Sequence, residues 1–378
     1  MIPGDIGAEL ASAIKAAIAA GELPPAAESR ASAAGTWRPA PPAAGGAPGT
    51  YASTLPFSMA EATGLDAAKI AALLTARLRR VSWITAVSVT GGGYLTVVVT
   101  AETLAALAVR VTQAGDGCAR SDALRGAMRS APSDADLGGA VTWTQAWQRV
   151  TDAATGRLAA AAGAQVDFTT EIERPVGAGP AGAAGHGPGE RAVPGHGAGL
   201  VAPAGPVAAA VAFAGGDAVR YALARTRTGR AARIDARSAV QHVLGNPFFA
   251  VCFARSDAAS TLRWAGDLGL QRGEPGGFVP ARLCAAPELG LLYAISWLPE
   301  RAAGAARRCQ PHEFTRYLGG LAWAYLDCRD NCPALPFMGR SAPLDAAGIR
   351  ARLWLVSAAA AALGAGLRLL GIDPPERA

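Results

Sequence analysis

The sequence predicts a small α+β domain at the N-terminus, joined through a helical segment and a flexible linker to an all-α helical bundle. Three observations carry this reading. Apolar residues recur at helical spacing over much of the 378-residue chain. Two runs rich in Val, Ile, Thr and aromatics flank the triplet Gly91-Gly92-Gly93, the pattern of a hairpin. A Gly-, Pro- and Ala-rich stretch from Pro175 to Pro206 separates the two halves, and such a stretch buries too little side chain to offset the cost of ordering its backbone.

Residues 1–104 form the α+β domain. Asp5 to Ala20 is a helix with Ile6, Leu10, Ile14 and Ile18 on one face. A low-complexity segment, Gly35 to Gly49, interrupts the domain. Asp66 to Arg80 is a second helix, with Ile70, Leu73, Leu74 and Leu78 together, and the strands are Trp83 to Thr90 and Tyr94 to Thr100. Residues 105–174 read as mostly helical. Within them Trp143, Trp147, Val150, Ala154 and Leu158 form a stripe that belongs to a core more readily than to an RNA-facing surface. Residues 175–206 are the linker. Residues 207–378 are the bundle, built from helices at 206–224, 238–244, 247–268, 287–306, 313–329 and 344–370, with Gly, Pro or Asn at the breaks.

Composition narrows the function. The chain is 51% hydrophobic and 17% charged, a globular balance. No secretory leader is visible, and the longest apolar run, Leu353 to Ile372, contains Arg368 and reads as a buried helix. The expectation is therefore a cytoplasmic protein without a membrane partner. The six cysteines are scattered, unlike a disulfide framework. Cys309, His312, Cys328 and Cys332 have zinc-like spacing, but a helix over 313–329 would hold His312 and Cys328 about 24 Å apart, so no metal is expected. Net charge is +6, and its placement is uneven: residues 206–378 carry 20 Arg against 13 Asp plus Glu, which leaves the rest of the chain near neutral. A basic C-terminal region favours a polyanionic partner.

Several short motifs in that region fall in a telling order. Gly216-Asp217-Ala218-Val219-Arg220-Tyr221 comes first, then Asn246-Pro247-Phe248-Phe249, Phe253-Ala254-Arg255 and Leu262-Arg263. Pro311-His312, Tyr317-Leu318 and Leu321-Ala322 follow, and the chain ends on Gly366-Leu367, Leu370-Gly371-Ile372 and Pro375-Glu376-Arg377. This series resembles the anticodon-binding domain of arginyl-tRNA synthetases, named for an Asp-Ala-Leu-Arg motif (the DALR domain). A literal Asp-Ala-Leu-Arg at Asp122 to Arg125 has none of the other features after it and is a coincidence. Gly49-Thr50-Tyr51-Ala52-Ser53, Ile70-Ala71 and Gly91-Gly92-Gly93-Tyr94-Leu95 similarly resemble the enzyme's additional N-terminal domain, which contacts the tRNA elbow. Phe253-Ala254-Arg255, Thr50 and Gly92 depart from the family pattern.

The resemblance implies a tRNA-binding protein, with an arginine tRNA as the natural candidate and no DNA. A synthetase of this class also needs a His-x-Gly-His segment and a Lys-Met-Ser-Lys loop to place charge where the transition state develops it. The four histidines, at 186, 196, 242 and 312, include no such pair, and no lysine follows Lys69. The 70 residues of 105–174 are fewer than a nucleotide-binding domain of roughly 100–150 residues requires. The expectation is no aminoacylation, no catalytic residues and no cofactor. The alternative is a protein-interaction or regulatory module that has lost RNA binding. Arg225, Arg227, Arg230 and Arg233 are the expected contacts to RNA phosphates or bases, Arg255 and Arg263 secondary contacts, and Tyr51 and Tyr94 contacts to the elbow. The linker would let both ends of the protein engage one tRNA.

Overall fold

The structure is a computed structural model and describes residues 2–30, 37–39, 47–169, 206–227, 234–336 and 345–377. The proposed linker, except Pro206, lies outside them, as do Arg230 and Arg233.

The N-terminal layer is a four-stranded antiparallel sheet carried by three helices. Strands β1 (Trp37–Pro39), β2 (Thr50–Ser53), β3 (Ile84–Thr90) and β4 (Tyr94–Val99) take the order β1-β2-β4-β3. The β3–β4 hairpin turns at Gly91, Gly92 and Gly93, all at positive φ, where a Cβ would be strained. Helices α1 (Ile2–Ala19) and α3 (Ala67–Leu78) supply the apolar faces expected of them, with Ile6, Leu10, Ile14, Ile70, Leu74 and Leu78 all buried, and α2 (Leu55–Thr63), which the sequence pattern did not mark, buries Leu55, Pro56 and Met59. Asp66 caps α3 by accepting from Ala68 N–H.

Two short helices, α4 (Ala101–Ala105) and α5 (Leu107–Ala114), lead into a unit that differs from the helical expectation. Strand β5 (Met128–Pro132), helix α6 (Trp143–Ala161) and strand β6 (Gln165–Thr169) form a βαβ crossover with the strands paired parallel. The two strands are mostly exposed, so they lack the alternating apolar pattern that identifies a strand from sequence. Helix α6 is capped by a Thr142/Gln145 capping box and buries Val150, Ala154 and Leu158; the Trp143 and Trp147 rings are half-buried against the same core.

The bundle comprises α7 (Pro206–Ala214), α8 (Gly216–Ala224), α9 (Ala236–Ala239), α10 (Pro247–Asp267), α11 (Ala286–Ser296), α12 (Leu298–Arg308), α13 (Pro311–Asn331) and α14 (Ala346–Leu369). Two helices expected as single are each divided. Gly215, at φ 84°, bends α7 from α8 by 117°. Trp297 separates α11 from α12, where Pro299 removes a backbone donor. Asn246 caps α10 through its side-chain oxygen and donates from Nδ2 to Ala239 and Gln241 carbonyls, each at 2.9 Å; Pro247 follows at the first turn, where its missing N–H costs nothing. Helix α14 is long and apolar enough to cross a membrane by length and composition, yet most of it is buried inside the bundle. Beside it the buried Glu288 carboxylate accepts from Arg352 Nε at 2.8 Å and from Ala285 N–H at 3.0 Å.

The N-terminal layer packs directly on the bundle. Tyr51 is fully buried and hydrogen-bonds Ser296 Oγ at 2.8 Å; its ring lies 5.3 Å from both Tyr293 and Trp297. Tyr293 O–H donates back to the Thr50 carbonyl at 2.6 Å. One apolar core therefore runs from α1 to α14, and the orientation of the two parts is set by contact and not by a tether alone.

Candidate nucleic-acid interface

The bundle's helices frame a cleft at one end. The C-terminal half of α10, the C-terminal half of α13 and the first turns of α14 enclose a pocket of about 1140 Å³. Asp257 lines its wall. Tyr325 O–H donates to Asp257 Oδ2 at 2.7 Å, and Arg329 Nη1 donates to Asp257 Oδ1 at 3.2 Å. The Arg329 guanidinium also stacks over the Phe253 ring, 5.6 Å from its centroid. Burial and the adjacent Asp257 charge raise the Tyr325 phenol well above its ordinary range, so it remains a neutral donor. At the rim Trp264 and Leu268 are 57% and 60% exposed. A flat guanidinium, an exposed indole and a fixed carboxylate at the edge of an apolar cavity can stack an unpaired base and hydrogen-bond its edge.

Spacing could not reveal this pocket. Asp257, Tyr325 and Arg329 come from helices about seventy residues apart in sequence, and Phe253 reads as one more apolar helix residue. Asp257 and Arg329 are a carboxylate and an arginine at partly buried helix positions, and nothing in the sequence pairs them.

The arginines named from sequence separate into three groups. Arg225, at the end of α8, and Arg227 are exposed. Arg263 is exposed, and its side chain donates to the Glu376 carbonyl at 3.1 Å and to Ser260 Oγ at 2.7 Å, which ties the C-terminal residues to α10. Arg255 is half-buried: its Nε and Nη1 are shielded from solvent and have no partner among the described residues, and burial, with Arg368 next in effect, lowers its pKa. Arg255 is thus a packing residue beneath the chain end. Tyr51 is corrected outright, because a side chain with no exposed surface cannot touch RNA; the tyrosine in the family-like segment serves the interlayer contact instead. Tyr94 keeps a surface position, 46% exposed, with its ring edge-on to Phe57. Asp217 and Arg220 pair at 2.8 Å within α8, and Arg220 reaches Asp134 at 3.4 Å, so this pair joins the bundle to the βαβ unit.

Residues 260–377 match the DALR anticodon binding domain family. The arginine–tRNA ligase of Paenarthrobacter aurescens is 36% identical over 161 residues, which cover 43% of this chain and 28% of that enzyme. The Micrococcus luteus arginine–tRNA ligase is 35% identical over 164 residues, 43% of this chain and 29% of the enzyme. The chain thus spans less than a third of the length of the curated relatives it matches. Among solved structures, Thermus thermophilus arginyl-tRNA synthetase aligns at 24% identity over 46% of this chain and 28% of its own, with a TM-score of 0.35.

Proposed function

We propose, from the premise that this chain is a DALR protein related to arginyl-tRNA synthetases, that it binds tRNA and does not aminoacylate it. One observation carries the binding half of the reading: the matched segment, residues 260–377, contributes most of the walls of a cleft equipped to stack and hydrogen-bond an unpaired base. The basic C-terminal half supplies the long-range attraction for a polyanion. The non-catalytic half rests on sequence: no His-x-Gly-His segment and no lysine beyond Lys69. An arginine tRNA in the cytoplasm is the partner the relatives suggest.

The test is a titration of the full chain against an arginine tRNA transcript and several unrelated tRNAs, at low and physiological salt. Tight, salt-sensitive binding that favours the arginine transcript supports anticodon recognition. Equal binding to all transcripts reduces the reading to shape and charge. Arginine-dependent ATP–pyrophosphate exchange would overturn the non-catalytic half. Absence of tRNA binding at low salt would transfer the reading to a protein-interaction module, for which exposed Trp264 and Leu268 form the apolar contact.

A further inference from the structure

A second charged surface lies at the other end of α13. Arg307 and Arg308 close α12, the chain turns through Cys309, and Arg316 stands in the first turns of α13. Tyr221 O–H donates to the Thr315 carbonyl at 3.2 Å, which ties α8 to those turns and brings Arg225 and Arg227 to the same corner. From β5, Arg129 Nη2 reaches Cys309 Sγ at 2.9 Å. Three segments distant in sequence therefore deliver six arginines to one place. Arg225, Arg227, Arg307 and Arg316 are exposed, and none makes an ion pair among the described residues. Among the described residues of 128–132, 225–227 and 307–316 the one carboxylate is Glu313, and Arg308 holds it.

Like charges gathered around a single carboxylate repel one another, and the arrangement is relieved when an anion arrives. The helix itself adds to the field. Helix α13 is 21 residues long, its cap residue Gln310 makes no side-chain capping bond, and Pro311 begins the first turn, so the positive end of its dipole faces the corner. His312 on that turn is 8% exposed and makes no side-chain hydrogen bond among the described residues. It faces Glu313, Arg316, Arg227 and Arg308, and burial, more than any of these charges, lowers its pKa. At neutral pH the imidazole is uncharged, so it offers a hydrogen-bonding edge and does not compete for the anion.

We propose that this corner, formed by Arg129, Arg227, Arg308, His312 and Arg316, is a phosphate-binding surface for the backbone of RNA, separate from the base pocket. Arg316 and Arg329 lie 13 positions apart on α13, about 20 Å along its axis. The division of labour follows from the groups present: guanidiniums such as Arg227 and Arg316, which make no ion pair among the described residues, grip phosphates without reading sequence, whereas the cleft at Asp257 and Arg329 presents directional partners to a base. The inference rests on the tRNA-binding reading, and the two can fail separately.

The experiment measures affinity of the full chain for an arginine tRNA transcript as a function of salt, for the wild type, R227A/R316A and R227K/R316K. Each phosphate contact contributes roughly one unit to the slope of log affinity against log salt. The alanine pair should lower that slope by about 2 and weaken all tRNAs alike, without changing their ranking. The lysine pair should keep the slope, since it keeps both charges. An unchanged slope in the alanine pair, with wild-type binding intact, overturns the corner and leaves the tRNA reading standing. Polyglutamate bound as tightly as tRNA at equal salt would also overturn it, by making the corner a general anion patch. A wild type that binds no tRNA removes both proposals.

Discussion

Removing the Tyr51 ring should destabilise the N-terminal layer and the bundle together. The ring has no exposed surface and is packed between Tyr293 and Trp297. A tyrosine of this kind buries about 150–250 Å², which at roughly 25 cal/mol per Å² amounts to about 4–6 kcal/mol as an upper bound. Truncation of a buried aromatic to alanine costs about 3–5 kcal/mol once the cavity is included. Tyr51→Ala should therefore fall in that range. Tyr51→Phe should cost only about 1 kcal/mol, because Ser296 Oγ still donates to the Tyr293 carbonyl at 2.7 Å after losing its phenol partner. Urea unfolding followed by tryptophan fluorescence and far-ultraviolet circular dichroism reads both values. The two signals should shift together to lower urea. A Tyr51→Ala chain whose bundle unfolds at an unchanged urea concentration, with only the N-terminal layer lost, would show two independent units and refute the shared core.

Three further outcomes are expected. Gly366→Ala places a Cβ that overlaps Leu318 Cδ2 and lies 3.2 Å from its Cδ1, so the α13–α14 contact must spread, at about 1–3 kcal/mol by the same urea assay. Glu288→Ala strands the Arg352 guanidinium, itself mostly buried, and removes the cap on Ala285 N–H; it should cost about 3–5 kcal/mol, whereas an exposed surface pair such as Arg125–Asp122 should cost under about 1 kcal/mol. His312 gives the chain an acid sensitivity. Its folded pKa is depressed by burial, while the unfolded imidazole titrates near 6.5, so the unfolded state takes up the proton first and stability falls as pH drops below about 6.5. Thermal unfolding between pH 7.5 and 5 should show this loss, and His312→Gln should flatten it.

The local elements were legible because each depends on residues close in sequence. The Ile6–Leu10–Ile14 face of α1, the glycine turn between β3 and β4, and the Asn246-Pro247 start of α10 are patterns of three to eight residues, and backbone geometry alone decides them. The divisions at Gly215 and Trp297 leave no mark on the apolar pattern, since an apolar face continues across both while the helix axis does not. The parallel pair β5–β6 was hidden for the opposite reason: its exposed strands carry no apolar alternation.

The site shows the same divide. The basic C-terminal half, motifs that follow an anticodon-binding domain in order, and a helix that ends at Ala224, before Arg225 and Arg227, can all be read along the chain. Only the tertiary structure decided that Tyr51 faces the bundle and not the solvent, that Arg255 lies under the chain end, that Asp257 meets Tyr325 and Arg329 at a cleft, and that Arg129, Arg227 and Arg316 share a corner. Periodicity tells which face of one helix avoids water. Which two faces avoid it against each other is chosen by shape and packing among residues that the chain itself keeps far apart.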